Sequence, residues 1–108
     1  MPVFQHIGVL TLTDEATEAD RTAIADGLGS LLGRIDGLRS ARVVFDAGIK
    51  EGNSDVLFVM GFDSRADWEA YSVHPAHVEV VKTVIGPVLA SKTFLQVDGA
   101  EPAADALV

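Results

Sequence analysis

Residues 55–62 read DVLFVMGF. Successive side chains of a strand point to opposite faces, so Val56, Phe58, Met60 and Phe62 share one face and Leu57, Val59 and Gly61 the other. Both faces are apolar, and such a strand needs cover on two sides. The flanking segments say what those covers are. Upstream, RSARVVFDA (39–47) reads as another strand, joined to 55–62 by a loop rich in Gly, Asn and Ser. Farther upstream, VFQHIGVLTL (3–12) is a third. It sets Phe4, His6, Gly8, Leu10 and Leu12 on one face and Val3, Ile7, Val9 and Thr11 on the other. Downstream, SKTFLQVD (91–98) is a last strand.

Helical segments separate these strands. In TDEATEADRTAIADGLGSLLGRIDG, Ile24, Leu28, Leu31, Leu32 and Ile35 recur at helical spacing. Asp14, Glu15, Glu18 and Asp20 gather where the helix dipole favours negative charge, and Asp36-Gly37 closes the segment as a turn. Gly27, Gly29 and Gly33 lie inside this pattern, each costing about 1 kcal/mol relative to Ala. They have two readings, close packing of the helix on the sheet or space for a ligand above it. After 55–62, Ser64 is a good N-cap with Asp67 three residues on, and Trp68 and Tyr71 share a face of the short helix that follows. Pro75 ends that helix and suits the first position of a new one, which makes His74 its N-cap. PAHVEVVKTVIGPVLA then continues as a helix bent or stopped near Gly86-Pro87.

The order is β-α-β-β-α(α)-β, an α+β class, ferredoxin-like arrangement with a four-stranded antiparallel sheet. Its helices cover one face of the sheet. The other face is apolar as well, and the economical cover is a second copy in a twofold homodimer.

The chain has 108 residues, the size of one domain. That domain is expected over 1–98, with GAEPAADALV (99–108) a flexible acidic tail. With no cysteine, disulfides and thiolate sites are excluded. A formal net charge of −8 with only eight basic residues argues against nucleic acid and anionic membranes as partners. MPVFQHIGVLTLTDE has neither a basic n-region nor a long apolar run, so the expected location is cytoplasmic. No phosphate-binding glycine loop or Gly-x-Ser-x-Gly elbow is present, and no cofactor is expected. Three histidines are enough to ligate zinc, but the glutamate of a His-Glu-x-x-His helix is missing, and no metal site is assigned.

HIGVLTLTDEATEAD, the Asp-Gly turn and above all FDSRADWEAYSVHPAHVEVV resemble the Dabb family, the stress-responsive dimeric α+β barrel domains, over about residues 3–98. The resemblance implies a homodimer whose two ferredoxin-like sheets close into a barrel, with a pocket between each sheet and its helices. One branch of the family is similar to olivetolic acid cyclase-type polyketide cyclases, which need no cofactor. There a tyrosine and the second histidine of His-Pro-Ala-His carry an aldol-type ring closure. The matching positions here are Tyr71 and His77; His6 matches the branch's strand histidine and His74 its first motif histidine.

The chemistry is reasonable for these residues. His77 in the first turn of a helix meets a partial positive charge that disfavours imidazolium, and a neutral imidazole is what a general base needs. Tyr71 would hydrogen-bond His77 or an enolate oxygen. Phe4, Leu10, Leu28 and Phe58 are candidate walls for a small apolar carbonyl ligand, Gly8 and Gly29 would leave room, and His6 shares the strand face of Gly8 and Leu10. Each residue also has an ordinary reading: Tyr71 and His6 as core, His74 as a cap. Beside the acid–base enzyme stand a non-catalytic, stress-related dimer that binds a small molecule and, by fold analogy alone, a cofactor-free oxygenase or isomerase.

Overall fold

The computed structural model describes residues 4–99. Its elements are β1 (Phe4–Leu12), α1 (Glu18–Gly29), β2 (Leu38–Phe45), β3 (Val56–Phe62), α2 (Arg65–Ser72), α3 (Pro75–Val80) and β4 (Leu89–Asp98). Between α3 and β4 the helix continues as a π-helical stretch, Val81–Ile85, and a 3-10 turn, Gly86–Val88. The four strands form one antiparallel sheet in the order β2-β3-β1-β4. This is the ferredoxin-like topology expected from the pattern of apolar runs. Val3 and all but the first residue of the expected tail lie outside the described residues.

The strand registers build rows of neighbours across the sheet. On the helix-covered face, one row runs Gln96, His6, Met60, Ala41, and the next runs Phe94, Gly8, Phe58, Val43. Alternation along β1 is regular: Phe4, His6, Gly8, Leu10 and Leu12 are buried, and the residues between them are half-buried. The core is completed by Ile24, Leu28, Tyr71, Val80 and Ile85 from the helices and by Leu31 from the turns after α1.

Each helix start has a side-chain cap. Thr17 and Asp20 form a reciprocal capping box on α1. Ser64 Oγ accepts from the Asp67 N–H at 3.2 Å, and His74 Nδ1 accepts from the Ala76 N–H at 3.0 Å with Pro75 at the first position of α3. Such caps satisfy N–H groups that a helix start leaves orphaned.

α1 is shorter than the apolar spacing predicts. It ends at Gly29, not near Ile35, and the chain continues in turns. Ser30 Oγ donates to the Gly27 carbonyl at 2.7 Å, and Gly33 takes a φ of +80°, which stops helix propagation. Leu31 and Ile35 stay buried because the turns keep roughly helical spacing, whereas Leu32 is exposed. Of the glycines, Gly27 packs closely on Val80, and Gly29 faces open space. β2 begins one residue and ends two residues earlier than expected, and β4 begins two residues earlier.

The other sheet face carries two apolar rows, Leu95–Ile7–Val59 and Val9–Leu57–Val44. No helix covers them, and Leu57 and Leu95 remain 38% and 59% exposed. Among the described residues no helix is long and apolar enough to cross a membrane.

Gly37 has a φ of +83°, and a Cβ there would overlap the Asp67 side chain, which holds the hydroxyl of the capping Ser64 by a 2.9 Å hydrogen bond. Gly37→Ala should therefore destabilise the fold by about 2 kcal/mol or more, through left-handed strain together with displacement of the cap. Urea unfolding checks this: the midpoint should fall while the m-value holds.

Candidate active site

Where α2 breaks into α3, two aromatic rings come together over the sheet. The centroids of Tyr71 and His77 are 4.2 Å apart. Pro75 produces this local geometry. It closes off α2, leaving the Ser72 carbonyl without a helical donor. His77, on the first turn of α3, turns back so that Nδ1 lies 3.3 Å from that carbonyl. A carbonyl can only accept, so the His77 proton sits on Nδ1, and the Nε2 lone pair has no hydrogen-bond partner among the described residues. Burial lowers the His77 pKa, and a smaller contribution from His74 acts in the same direction; the Ser72 carbonyl opposes both. Burial is thus a leading reason that this ring is neutral at pH 7.

Tyr71 is 1% exposed. Its ring meets Phe62 edge-on at 5.0 Å. Burial pushes the phenol well above its usual range, so the hydroxyl remains a proton donor at neutral pH.

His6 comes from the middle of β1. The Gln96 side-chain amide lies 2.9 Å from His6 Nδ1. With the amide nitrogen donating, the proton of the neutral ring sits on Nε2. Phe58, Phe94 and Trp68 surround the ring at centroid distances of 5.3, 5.2 and 5.8 Å. Burial first, and His77 second, lower its pKa to about 4.

These groups open onto one cavity of about 270 Å³. Leu10, Leu28, Phe58, Val81, Ile85 and Leu89 give apolar walls; His6, Trp68, Tyr71, Ser72 and His77 line it from β1 and the helices; Lys92, Phe94 and Gln96 line it from β4. Of the residues singled out in the sequence, His6, Leu10, Leu28, Phe58, Tyr71 and His77 meet at this cavity.

Two others do not. Gly8 lies under the rings of Phe58 and Phe94, so the room left by its missing side chain is filled by protein, not ligand. His74 is outside the lining, its ring nitrogen committed to the Ala76 N–H. Phe4, expected as a wall, instead packs on Trp68 at 5.4 Å in the core. The β4 contributors were missed by sequence reasoning, although alternation in SKTFLQVD puts Lys92, Phe94 and Gln96 on one face. Trp68 Nε1 is buried with no hydrogen-bond partner among the described residues. Among those residues no group of three His, Asp or Glu side chains is placed to hold a metal ion.

The buried histidines give stability a pH dependence. In the unfolded chain His6 binds a proton near 6.5, while in the folded chain it does so only near 4. Between these values the unfolded state holds more protons, so stability falls as pH drops from 6.5 towards 4. The full loss for His6 is about 3 kcal/mol at most, and His77 acts in the same direction. Urea unfolding at pH 7 and pH 4.5 should show this loss in the wild type and a smaller one in His6→Gln.

No curated protein matches the sequence. Among solved structures, a dimeric ferredoxin-like protein of unknown function from Thermobifida fusca superposes with a TM-score of 0.77 at 26% identity, over 88% of this chain and 89% of that one. A Dabb family protein with a ferredoxin-like fold from Mesorhizobium loti gives 0.73 at 19% identity, over 96% and 100%. Hydroxynitrile lyase from Passiflora edulis gives 0.75 at 16% identity, over 92% and 96%. The model of the stress responsive A/B barrel domain matches residues 4–98, and the chain belongs to that family, Dabb.

Proposed function

We propose that this Dabb protein is a cofactor-free acid–base enzyme that acts, like a polyketide cyclase, on a small carbonyl compound. The observation that carries the reading is the pair Tyr71–His77. A neutral imidazole, held with its proton on the Ser72 side and its Nε2 lone pair free, stacks on a phenol that stays protonated. His77 takes a proton from a carbon next to a carbonyl. The Tyr71 hydroxyl, with the His6 Nε2–H as a second donor, hydrogen-bonds the oxygen on which the negative charge develops. The apolar walls strengthen those hydrogen bonds by excluding water and hold the substrate near its reactive geometry. That the Passiflora edulis relative is a hydroxynitrile lyase supports the fold as a frame for an enzyme.

The working unit in this reading is a homodimer. The apolar rows on the open face of the sheet want cover, and the Thermobifida fusca relative is dimeric. Two sheets packed face to face would close the barrel and leave each cavity on the outside of it, beneath its own helices. A second reading, a binding protein without chemistry, is favoured by the predominance of hydrocarbon in the cavity wall.

Solvent-deuterium exchange into the acetyl group of acetophenone, followed by NMR, separates the two readings without knowledge of the natural substrate. The wild type should speed exchange over buffer. His77→Ala should remove about 10²- to 10⁴-fold of that rate, and Tyr71→Phe a smaller part. A wild-type rate no higher than that of His77→Ala sinks the enzyme reading, and tight binding without exchange favours the binding protein. For the dimer, light scattering should give twice the 11.4 kDa of one chain, and Leu57→Asp with Leu95→Asp should halve it.

A further inference from the structure

We infer that the cavity takes a carbonyl compound that also bears a carboxylate, and that Lys92 is the residue that selects it. The inference rests on the acid–base reading above for the fate of the carbonyl and adds the identity of the substrate's other end.

Along β4, alternate residues Lys92, Phe94 and Gln96 face the helices, opposite Leu10, Gly8 and His6 of β1. Gly8 lets the Phe94 ring lie low over β1, and the Lys92 ammonium sits 5.3 Å above the centre of that ring. This cation–π contact helps to position the charge beside the cavity. Lys92 is exposed yet belongs to the cavity lining, which places it at the mouth. Among the described residues it is the single Lys, Arg, Asp or Glu in that lining.

No ion pair among the described residues occupies its ammonium. The chain holds sixteen acidic residues against eight Lys and Arg, so carboxylates are plentiful. The ion pairs among the described residues use Arg39 and Arg65, and what sets Lys92 apart from the other basic side chains is its place in the cavity lining. An ammonium beside apolar walls offers an anion a place to dock that nothing else in the cavity lining provides. Partial removal from water makes such a pair stronger than one on the open surface. A ligand anchored there by its carboxylate extends its apolar body past Phe94 and Leu10 and brings its carbonyl towards Tyr71 and His77. The volume, about 270 Å³, lies just under the 300–1,000 Å³ of drug-sized sites, so the body is a single ring or a short chain.

Lysine on an edge strand has another known use, discouraging strand addition. That role involves no ligand, and the test separates the two. Two probes with the same ring and the same acetyl group, 4-acetylbenzoate and 4-acetylbenzamide, differ in charge at one end. NMR titration of the wild type should show the carboxylate bound about five- to tenfold more tightly than the amide. Lys92→Met should erase that preference while leaving amide binding in place, Lys92→Arg should keep it, and added salt should narrow it. Equal affinity for the two probes, a preference that survives Lys92→Met, or binding of neither probe overturns the inference. Deuterium exchange at the acetyl group in the same samples keeps the two proposals apart. A Lys92-dependent preference without exchange supports carboxylate selection and defeats the acid–base enzyme. Exchange without a preference does the reverse.

Discussion

Pro75 cannot continue a helix, and much of the site depends on the break it makes. Because α2 cannot run on through it, the Ser72 carbonyl is left facing the chain's next turn. His77 answers that carbonyl with Nδ1, which fixes its tautomer and aims its ring across Tyr71. The same break frees His74 to cap α3. One backbone constraint therefore gives the two motif histidines different work: the first is bound to structure, while the second keeps a free lone pair inside a cavity.

The sheet supplies the rest. Its helix-covered face is not a uniform hydrocarbon layer, since the row Gln96–His6–Met60 sets a hydrogen-bonded polar pair into it. A buried imidazole must either find partners or stay neutral. His6 does both, with Gln96 at one nitrogen and aromatic rings around it. The outcome is a cavity whose interior polar groups are uncharged at neutral pH and whose mouth holds one cation. On the function proposed above, such a site discriminates by hydrogen-bond direction inside and by charge at the entrance.

The fold was legible because it rests on local alternation. The four apolar runs, the Asp36-Gly37 turn and the Pro75 break each announce an element without reference to distant residues. The end of α1 was not legible, because Leu31 and Ile35 keep helical spacing through turns that are no longer helix. Tyr71, His77 and His6 could be placed together by their motif and by strand parity. Gly8 misled, since a missing side chain reads as a vacancy and its neighbours' rings are what decide whether the vacancy exists. Gln96 and Lys92 depend on pairing between opposite ends of the chain, with Gln96 and His6 90 residues apart. Periodicity within one strand cannot set that register.

The π-helical stretch Val81–Ile85 carries a consequence of its own. A π turn holds one more residue than an α turn, as the bond from the Gly86 N–H to the Val81 carbonyl shows. Val81, Ile85 and Leu89, each four residues from the last, line the same cavity. Loss of a single residue here would restore ordinary α-helical bonding. It would also turn everything after it by about 100° about the helix axis, carrying one wall of the cavity away and shifting the entry of β4. That side of the cavity is thus encoded in the number of residues as much as in their kind, and relatives that differ there by an insertion or deletion would present a differently shaped chamber behind the same pair of rings.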